Sequence, residues 1–255
     1  MSRLIDKLNR ISRATPQVMG FRAAQPASPK PKLLLIANLA QANVDSLADY
    51  VAGADAGLLP ISNLSSGAKT FQEISQAVPN IPWGVWLRDI GRGGIKEIVK
   101  VGCDFVVFPA ANTSLAILQD DNVGKILQVE ATVGEGLLRT VDELPVDAVL
   151  INSEQEGEYF LTWHHLMLFQ CFADLLTKPV LVCIPSNVTT NELQALGEAG
   201  VDGVIVEVGV AQPVERLNEL RQTIDKLPFP SPRKRGKAKA LLPYISGEKG
   251  IVTEE

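Results

Sequence analysis

Short apolar runs alternate with stretches of helical periodicity along most of the chain. Four apolar runs fall at 32–39, 82–89, 125–133 and 179–186, and four further segments, at 50–62, 100–111, 143–154 and 198–209, each contain a turn followed by a short apolar run. Between them, apolar residues recur three and four positions apart, as in amphipathic helices; examples are 71–78, 163–176 and 213–227. The runs themselves are almost continuously apolar, which is typical of parallel strands covered on both faces. The pattern predicts eight strands that alternate with helices.

An aspartate precedes every second strand of this pattern. These residues, Asp55, Asp104, Asp147 and Asp202, lie roughly fifty residues apart, which indicates internal repetition. Each follows a turn at a small residue or a proline and leads into an apolar run. Because such positions lie at the amino ends of parallel strands, we expect the carboxylates to cap turns and accept backbone N–H groups. We do not expect them to be catalytic.

Eight strand–helix units in about two hundred residues predict an α/β fold, a closed (β/α)8 barrel rather than an open doubly wound sheet. The barrel is expected over residues 32–227. An amphipathic helix and a proline-rich linker at 1–31 precede it, and a basic tail at 228–255, expected to be flexible, follows it.

The N-terminal helix is expected to place Leu4, Ile5, Leu8 and Ile11 on one face. That face can dock on the barrel or on a second subunit, giving a homo-oligomer. A membrane-surface helix is less favoured, because four apolar anchors bind lipid weakly. In the tail, the lysines and arginines at 233–239 can attract an acidic partner, nucleic acid or the chain's own acidic body.

Charge is distributed unevenly around a net value of −5, with +6 in residues 1–32, +3 in 228–255 and −14 between them. Phosphates are repelled by such a body, so nucleic acid is expected to bind only through the tail. No apolar run approaches the roughly 18 residues that cross a bilayer, and the polar N-terminus does not resemble a signal peptide. The three cysteines match neither a disulfide framework nor a zinc site. We expect a cytoplasmic protein, and nothing indicates a cofactor or a metal.

Two glutamates, Glu130 and Glu207, interrupt otherwise apolar runs. A carboxylate in such a run is costly unless it is paired or is solvated at the mouth of the barrel. If both point inward, they can act as general acid and base, with desolvation tuning at least one toward proton transfer near neutral pH. The alternative is a structural ion pair with Arg88.

Residues 88–94, with the sequence RDIGRGG, follow the third strand and lead into a predicted helix at 94–101. Glycines at a helix start expose backbone N–H groups, and the helix dipole there favours an anion. Arg88 and Arg92, with the amides of Gly93 and Gly94, are therefore the candidate anion site. Asp89 joins the candidate catalytic groups. The alternative is a tight turn with solvent-facing arginines.

Further polar residues follow other strands on the same edge of the predicted barrel. Asn38 and Asn152 are candidates for orienting a substrate. Ser186 and Asn187, with the two threonines after them, offer a second anion site at a helix start, although an N-cap explains these residue types equally well. The adjacent His164 and His165 cannot form one metal pair, since neighbours on a helix point about 100° apart.

The segment AGVDGVIVEVG at 199–209 resembles the last strand of the phosphate-binding TIM barrels, the ribulose-phosphate-binding superfamily that includes barrels of tryptophan and histidine biosynthesis. The resemblance covers about 32–227 at the level of pattern and implies a substrate phosphate at the ends of strands seven and eight. The chain departs from the family in reading IPSN after strand seven, with Gly209 near the acidic Glu207 after strand eight. No lysine lies in the second half of any strand, so no particular activity carries over.

Two functions follow from these observations. The first is a barrel that binds a small anionic metabolite at its carboxyl end, with lyase or isomerase chemistry if it is an enzyme. The second is a catalytically silent barrel that acts as a binding or assembly module through its basic terminal arms.

Overall fold

Eight parallel strands form a closed barrel in the order β1 to β8 in the computed structural model. The structure describes residues 2–12, 33–39, 47–61, 64–87, 99–152, 160–208 and 215–227. The strands are β1 (Leu34–Asn38), β2 (Ala56–Ile61), β3 (Trp83–Leu87), β4 (Phe105–Pro109), β5 (Gly124–Glu130), β6 (Ala148–Asn152), β7 (Val180–Ile184) and β8 (Gly203–Glu207). The predicted (β/α)8 fold is confirmed.

Helices precede β1, follow β8 and lie between most of the other strands in the described part of the chain. They are α1 (Arg3–Ser12), α2 (Leu47–Tyr50), α3 (Leu64–Ala77), α4 (Glu135–Val141), α5 (Trp163–Leu175), α6 (Thr190–Glu198) and α7 (Arg216–Lys226), and a 3-10 helix spans Leu115–Gln119. Most of the predicted helix at 94–101 lies outside the described residues. No helix in the described part of the chain is long and apolar enough to cross a membrane.

The side chains of each strand alternate between two hydrophobic cores, because successive residues of a strand point to opposite faces. One core fills the barrel lumen and includes Ile36, Phe105 and Leu150. The other lies between the sheet and the helices and includes Phe71, Val149 and Phe169. This double burial explains why the strands are almost continuously apolar in sequence.

The repeated aspartates tie neighbouring strands together at the amino end of the barrel, as predicted. In three repeats the carboxylate accepts a backbone N–H from the start of the preceding strand at 2.7–3.0 Å: Asp55 from Leu35, Asp147 from Lys125 and Asp202 from Val180. The backbone N–H of each aspartate donates to the carbonyl of the same partner residue at 2.8–2.9 Å. These paired bonds fix the register at the amino end.

Asp104 departs from this pattern and caps α1 instead. Its carboxylate accepts the Ser2 hydroxyl at 2.8 Å and the backbone N–H groups of Arg3 and Leu4 at 2.7 and 3.0 Å. A carboxylate at a helix N-terminus satisfies N–H groups that have no partner within the helix and interacts favourably with the helix dipole. One repeat thus anchors the N-terminal helix.

The apolar face of α1 closes the amino end of the lumen. Leu4, Ile5 and Leu8 are buried in the lumen core, and Gly124 at the start of β5 lies under Ile5, where a Cβ would come within 2.6 Å of that side chain. Burying each of these side chains stabilises the fold by about 1.5–3 kcal/mol. The face considered above for a subunit contact is therefore occupied by the chain's own barrel.

Glycine at a positive φ makes the turn before three of the four aspartates. Gly53, Gly102 and Gly200 have φ of 88°, 88° and 93°, and each lies two residues before its aspartate. A side chain at such a φ costs roughly 1–2 kcal/mol, so these turns favour glycine. The fourth repeat has Pro145 at the equivalent position.

We expect Asp104→Ala to release α1, because it removes the acceptor of three hydrogen bonds. The free energy of unfolding should fall by about 2–4 kcal/mol, measured by urea denaturation, and amide exchange should rise in residues 3–12. The control is Asp147→Ala, which removes an acceptor of one backbone N–H and should leave exchange in α1 unchanged. Equal exchange in α1 for the two variants would contradict this role of Asp104.

Alanine substitutions at two of the glycine turns are expected to lower the stability of the protein by different amounts. In Gly102→Ala the new Cβ meets no heavy atom within 4 Å, so only the backbone strain of about 1–2 kcal/mol is expected. In Gly200→Ala it also comes within 2.9 Å of the Ala173 Cβ, which should add about 1 kcal/mol or more. Urea denaturation of both variants measures the difference, and a Gly102→Ala variant that is the less stable of the two would refute the argument.

Candidate functional site

The lumen becomes polar toward the carboxyl ends of the strands. Asn38, Trp86, Gln128 and Cys183, one from each odd strand, share the inward side of their strands with the aliphatic residues below them. The stagger of the barrel brings such residues of alternate strands into one layer. The indole N–H of Trp86 donates to Gln128 Oε1 at 2.7 Å, which joins β3 to β5 within this layer.

Three further polar residues, Glu130 on β5, Asn152 on β6 and Glu207 on β8, occupy the last inward positions of their strands, above this layer. Glu207 pairs in register with Asn38, and Glu130 pairs in register with Asn152. Each carboxylate therefore has an amide side chain beside it on the neighbouring strand. The structure thus brings four of the predicted residues to one mouth.

The Asn38 side chain has an unsatisfied polar atom. Asn38 is 8% exposed, and its Oδ1 is buried without a hydrogen-bond partner among the described residues. Leaving such an atom unpaired costs about 1–3 kcal/mol, so the position suits a group that arrives from the mouth, either a ligand or a water.

Glu130 and Glu207 are solvated rather than desolvated. Both are the last residues of their strands and both are exposed. The run that was expected to continue to Val133 ends as a strand at Glu130, so this carboxylate lies at the rim and not within an apolar strand. The Thr132 hydroxyl donates to Glu130 Oε2 at 3.5 Å. Exposure at the mouth is the solvated alternative named above for a carboxylate in such a run, and the role of both residues in proton transfer stays a prediction.

Cys183 lies beneath Glu207 in the polar layer. Burial, followed by the negative charge of Glu207, raises the pKa of the Cys183 thiol to about 12. The thiol is therefore protonated at neutral pH and is not an activated nucleophile. Cys183 pairs in register with Ile205, two residues before Glu207, so the Glu207 side chain lies on the lumen side of β8.

The helix start after β7 already holds a carboxylate of its own. Thr189 caps α6, with its hydroxyl oxygen accepting the Glu192 N–H at 3.3 Å, while Glu192 Oε2 accepts the Thr189 N–H at 2.7 Å. Asn187 is exposed, and the Ser186 carbonyl accepts from Arg216 Nε at 2.7 Å. The Glu192 carboxylate disfavours an anion here, and neither Ser186 nor Asn187 is the N-cap.

The glycine-rich stretch after β3 was the strongest candidate for anion binding. Arg88, Asp89, Arg92, Gly93 and Gly94 all lie outside the described residues. Their roles, including the alternative pairing of Arg88 with a glutamate, stay predictions.

Within the described ranges, no group of three or more His, Cys, Asp and Glu side chains is placed to hold a metal ion. His165 has a local role at the start of α5. Its backbone N–H donates to Thr162 Oγ1 at 3.3 Å, and its Nδ1 accepts the Thr162 N–H at 3.1 Å. Burial, with a smaller contribution from His164, lowers the pKa of His165, consistent with a neutral ring that accepts a hydrogen bond.

Two residues of the polar layer, Trp86 and Gln128, were missed in the sequence. Both belong to apolar runs and both face the lumen. The signal that could have found them is the period of two along a strand, counted back from Arg88 and from Glu130. Their mutual contact depends on the stagger of the barrel, which the sequence does not display.

The protein is a TIM barrel. It is similar to Mycobacterium tuberculosis tryptophan synthase, with 15% identity, a TM-score of 0.62 and coverage of 88% of this chain and 97% of that one. For orotidine 5′-phosphate decarboxylase from Pyrococcus horikoshii the values are 11%, 0.59, 76% and 100%, and for native KDPGal 16%, 0.54, 81% and 95%. No family model and no curated protein matches the sequence. The likeness shows the fold, and it agrees with the resemblance to phosphate-binding barrels noted in the sequence.

Cysteine alkylation tests the arrangement of Glu207 and Cys183. At pH 8, iodoacetamide should modify the exposed Cys171, while Cys103 and Cys183, whose pKa values are both raised to about 12, should react at least about a hundredfold more slowly. Glu207→Gln removes a charge that raises the pKa of Cys183 and should speed its alkylation several-fold. Cys103 serves as the internal control. Peptide mass spectrometry gives the alkylation rate of each cysteine. An unchanged rate for Cys183 in the Glu207→Gln variant would contradict the position of Glu207 near this thiol.

Proposed function

We propose that this barrel binds a small phosphorylated metabolite at its carboxyl end and acts on it as a lyase or an isomerase. The observation that carries the proposal is the change of the lumen from aliphatic to polar in its last layers. An aliphatic layer at Asn38, Trp86, Gln128 and Cys183 would serve folding equally well, and a buried amide acceptor without a partner is unfavourable. Departures from folding rules of this kind concentrate at binding sites.

Proton transfer is assigned to the two rim carboxylates. Glu130 and Glu207 lie on β5 and β8, so a ligand seated in the mouth has a carboxylate on each of two sides. Asn152 and Asn38, their neighbours in register, can hold ligand oxygens in place. One carboxylate removing a proton while the other side returns one is the pattern of lyase and isomerase chemistry. Asp89 is a third acidic group of this proposal.

The anion is assigned to Arg88 and Arg92 with the amides of Gly93 and Gly94. Among the described cations, Arg216 also lies at this end of the barrel, but it bonds the carbonyls of Ser186 and Val188 and the carboxylate of Glu219. One neighbour in fold, orotidine 5′-phosphate decarboxylase, is named for a phosphorylated substrate, and another, the YdjI aldolase from Escherichia coli, is named for aldolase activity, which supports the chemical class.

The rival function is a binding or assembly module without catalysis. The observation in its favour is a set of exposed apolar side chains on and before α5, described below. Its original basis in the two basic arms is weaker for the N-terminal arm, because α1 is part of the barrel and Lys7 donates to the Asp55 carbonyl at 2.9 Å.

Thermal shift with inorganic phosphate and a panel of phosphorylated three- to six-carbon sugars and acids tests the site. A ligand at a hundredfold its Kd should raise the Tm by about 5 °C or more. Arg88→Ala should abolish the shift, and Lys100→Ala, which removes a cation before β4 at the amino end, should keep it. If no member of the panel shifts the Tm of the unmodified protein, the proposal fails.

The catalytic assignment has its own test with the ligand found in this way. Glu130→Gln and Glu207→Gln should each bind it with similar affinity while losing at least about a hundredfold in turnover. Binding that survives in both variants without turnover in the unmodified protein would support the rival module instead.

A further inference from the structure

Large apolar side chains are exposed at the start of α5. Trp163 is 81% exposed, Phe160 73% and Met167 68%. Trp163 and Met167 are one helical turn apart, so they lie side by side on the same face. A contiguous patch of exposed apolar side chains of this kind marks an interaction surface.

A groove between α5 and α6 adjoins these side chains. Its volume is about 530 Å³, and its lining is almost entirely apolar, with Phe160, Leu161, Trp163, Leu166, Phe169 and Leu196. The outer surface of the barrel therefore offers an apolar cleft with an exposed aromatic rim, at the starts of the helices that follow β6 and β7.

The two helices that border the groove are acidic. Asp174 on α5 and Glu192 and Glu198 on α6 are their charged residues, and neither helix contains a lysine or an arginine. Two copies of this face would repel one another, whereas a basic segment would be attracted.

The C-terminal segment of the same chain has the complementary composition. Residues 233–239 contain five lysines and arginines and no acidic residue. Directly after them, residues 240–245 read ALLPYI, an apolar hexapeptide with two leucines, a tyrosine and an isoleucine. A basic run followed by an apolar anchor matches an apolar groove with an acidic border.

The segment is also long enough to reach. The described chain ends at Leu227, just after α7, and α6 packs against both α7 and α5. Neighbouring helices lie about 8–10 Å apart, so the groove is about 20 Å away around the barrel. Leu227 ends α7 at the amino end, whereas the first residues of α5 and α6 line the groove at the carboxyl end, so the segment must also run the length of the 11 residues of α7, about 16 Å. The straight-line distance is then about 26 Å. The twelve residues 228–239 can span about 40 Å when extended.

We propose that residues 240–245 of the chain bind in the groove between α5 and α6, with the basic run at 233–239 against the acidic helices. Leu241, Leu242, Tyr244 and Ile245 supply the apolar contacts, and Trp163 is covered by the segment. This contact uses none of the residues assigned above to the anion or to proton transfer.

Acrylamide quenching of tryptophan fluorescence tests the contact in the full chain, with a Trp163→Phe variant to identify the contribution of that residue. Trp83 is 3% exposed and Trp86 is half-buried in the lumen, so a change in accessibility should come from Trp163. The double substitution Leu241→Asp and Leu242→Asp should release the segment and raise the quenching constant of Trp163 two- to threefold. Val252→Asp, outside the anchor, is the matched control and should leave it unchanged.

The dependence of quenching on salt and on protein concentration distinguishes the chain's own segment from a second copy of the chain as the group that covers Trp163. If the chain's own segment covers Trp163, quenching rises with salt as the basic run is screened, and it does not depend on protein concentration. Equal quenching in the unmodified protein and the Leu241→Asp, Leu242→Asp variant overturns the proposal. Protection that appears only on concentration, together with a dimer in light scattering, overturns it in favour of a second copy.

Discussion

Closure of the parallel sheet is the constraint on which the other features of the molecule depend. Closure requires neighbouring strands to keep a fixed stagger, and the bonds between repeated aspartates and the preceding strands hold that stagger at the amino end. Once it is fixed, alternate residues must face the lumen, and the carboxyl ends of all eight strands meet at one mouth. The polar layer of Asn38, Trp86, Gln128 and Cys183 follows from this geometry.

The fold and its amino end could be predicted because they are written in local patterns. Continuous apolar runs, helical spacing and a glycine or proline two residues before an aspartate can be read without knowing which residues meet. The exception is Asp104, which has the same local sequence pattern as its equivalents but bonds α1. That choice depends on Leu4, Ile5 and Leu8 finding the lumen, a contact between distant parts of the sequence.

The site was harder to predict because its properties depend on depth and register. Glu130 looks like a mid-strand residue in the sequence, yet the strand stops there and the side chain reaches solvent. Cys183 looks like an ordinary core thiol, yet its pKa is raised by burial and, to a smaller extent, by a carboxylate on the neighbouring strand. Trp86 and Gln128 belong to different apolar runs and meet only through the stagger of the barrel. The sequence shows which polar residue types follow the strands, but it does not show which of these side chains lie next to one another.

The capping of α1 by Asp104 has a consequence for how the chain acquires its structure. Arg3 of α1 and its acceptor Asp104 are 101 residues apart, and Gly124, which lies against Ile5 at the amino end of the lumen, comes later still. During synthesis, at about 5–20 residues per second, residues 3–12 therefore remain without their cap and their packing partners for several seconds. A segment of 10 residues is only marginally helical on its own, so α1 becomes stable only when these partners are in place. The amino end of the lumen is thus closed late, after four of the eight strands have been synthesised.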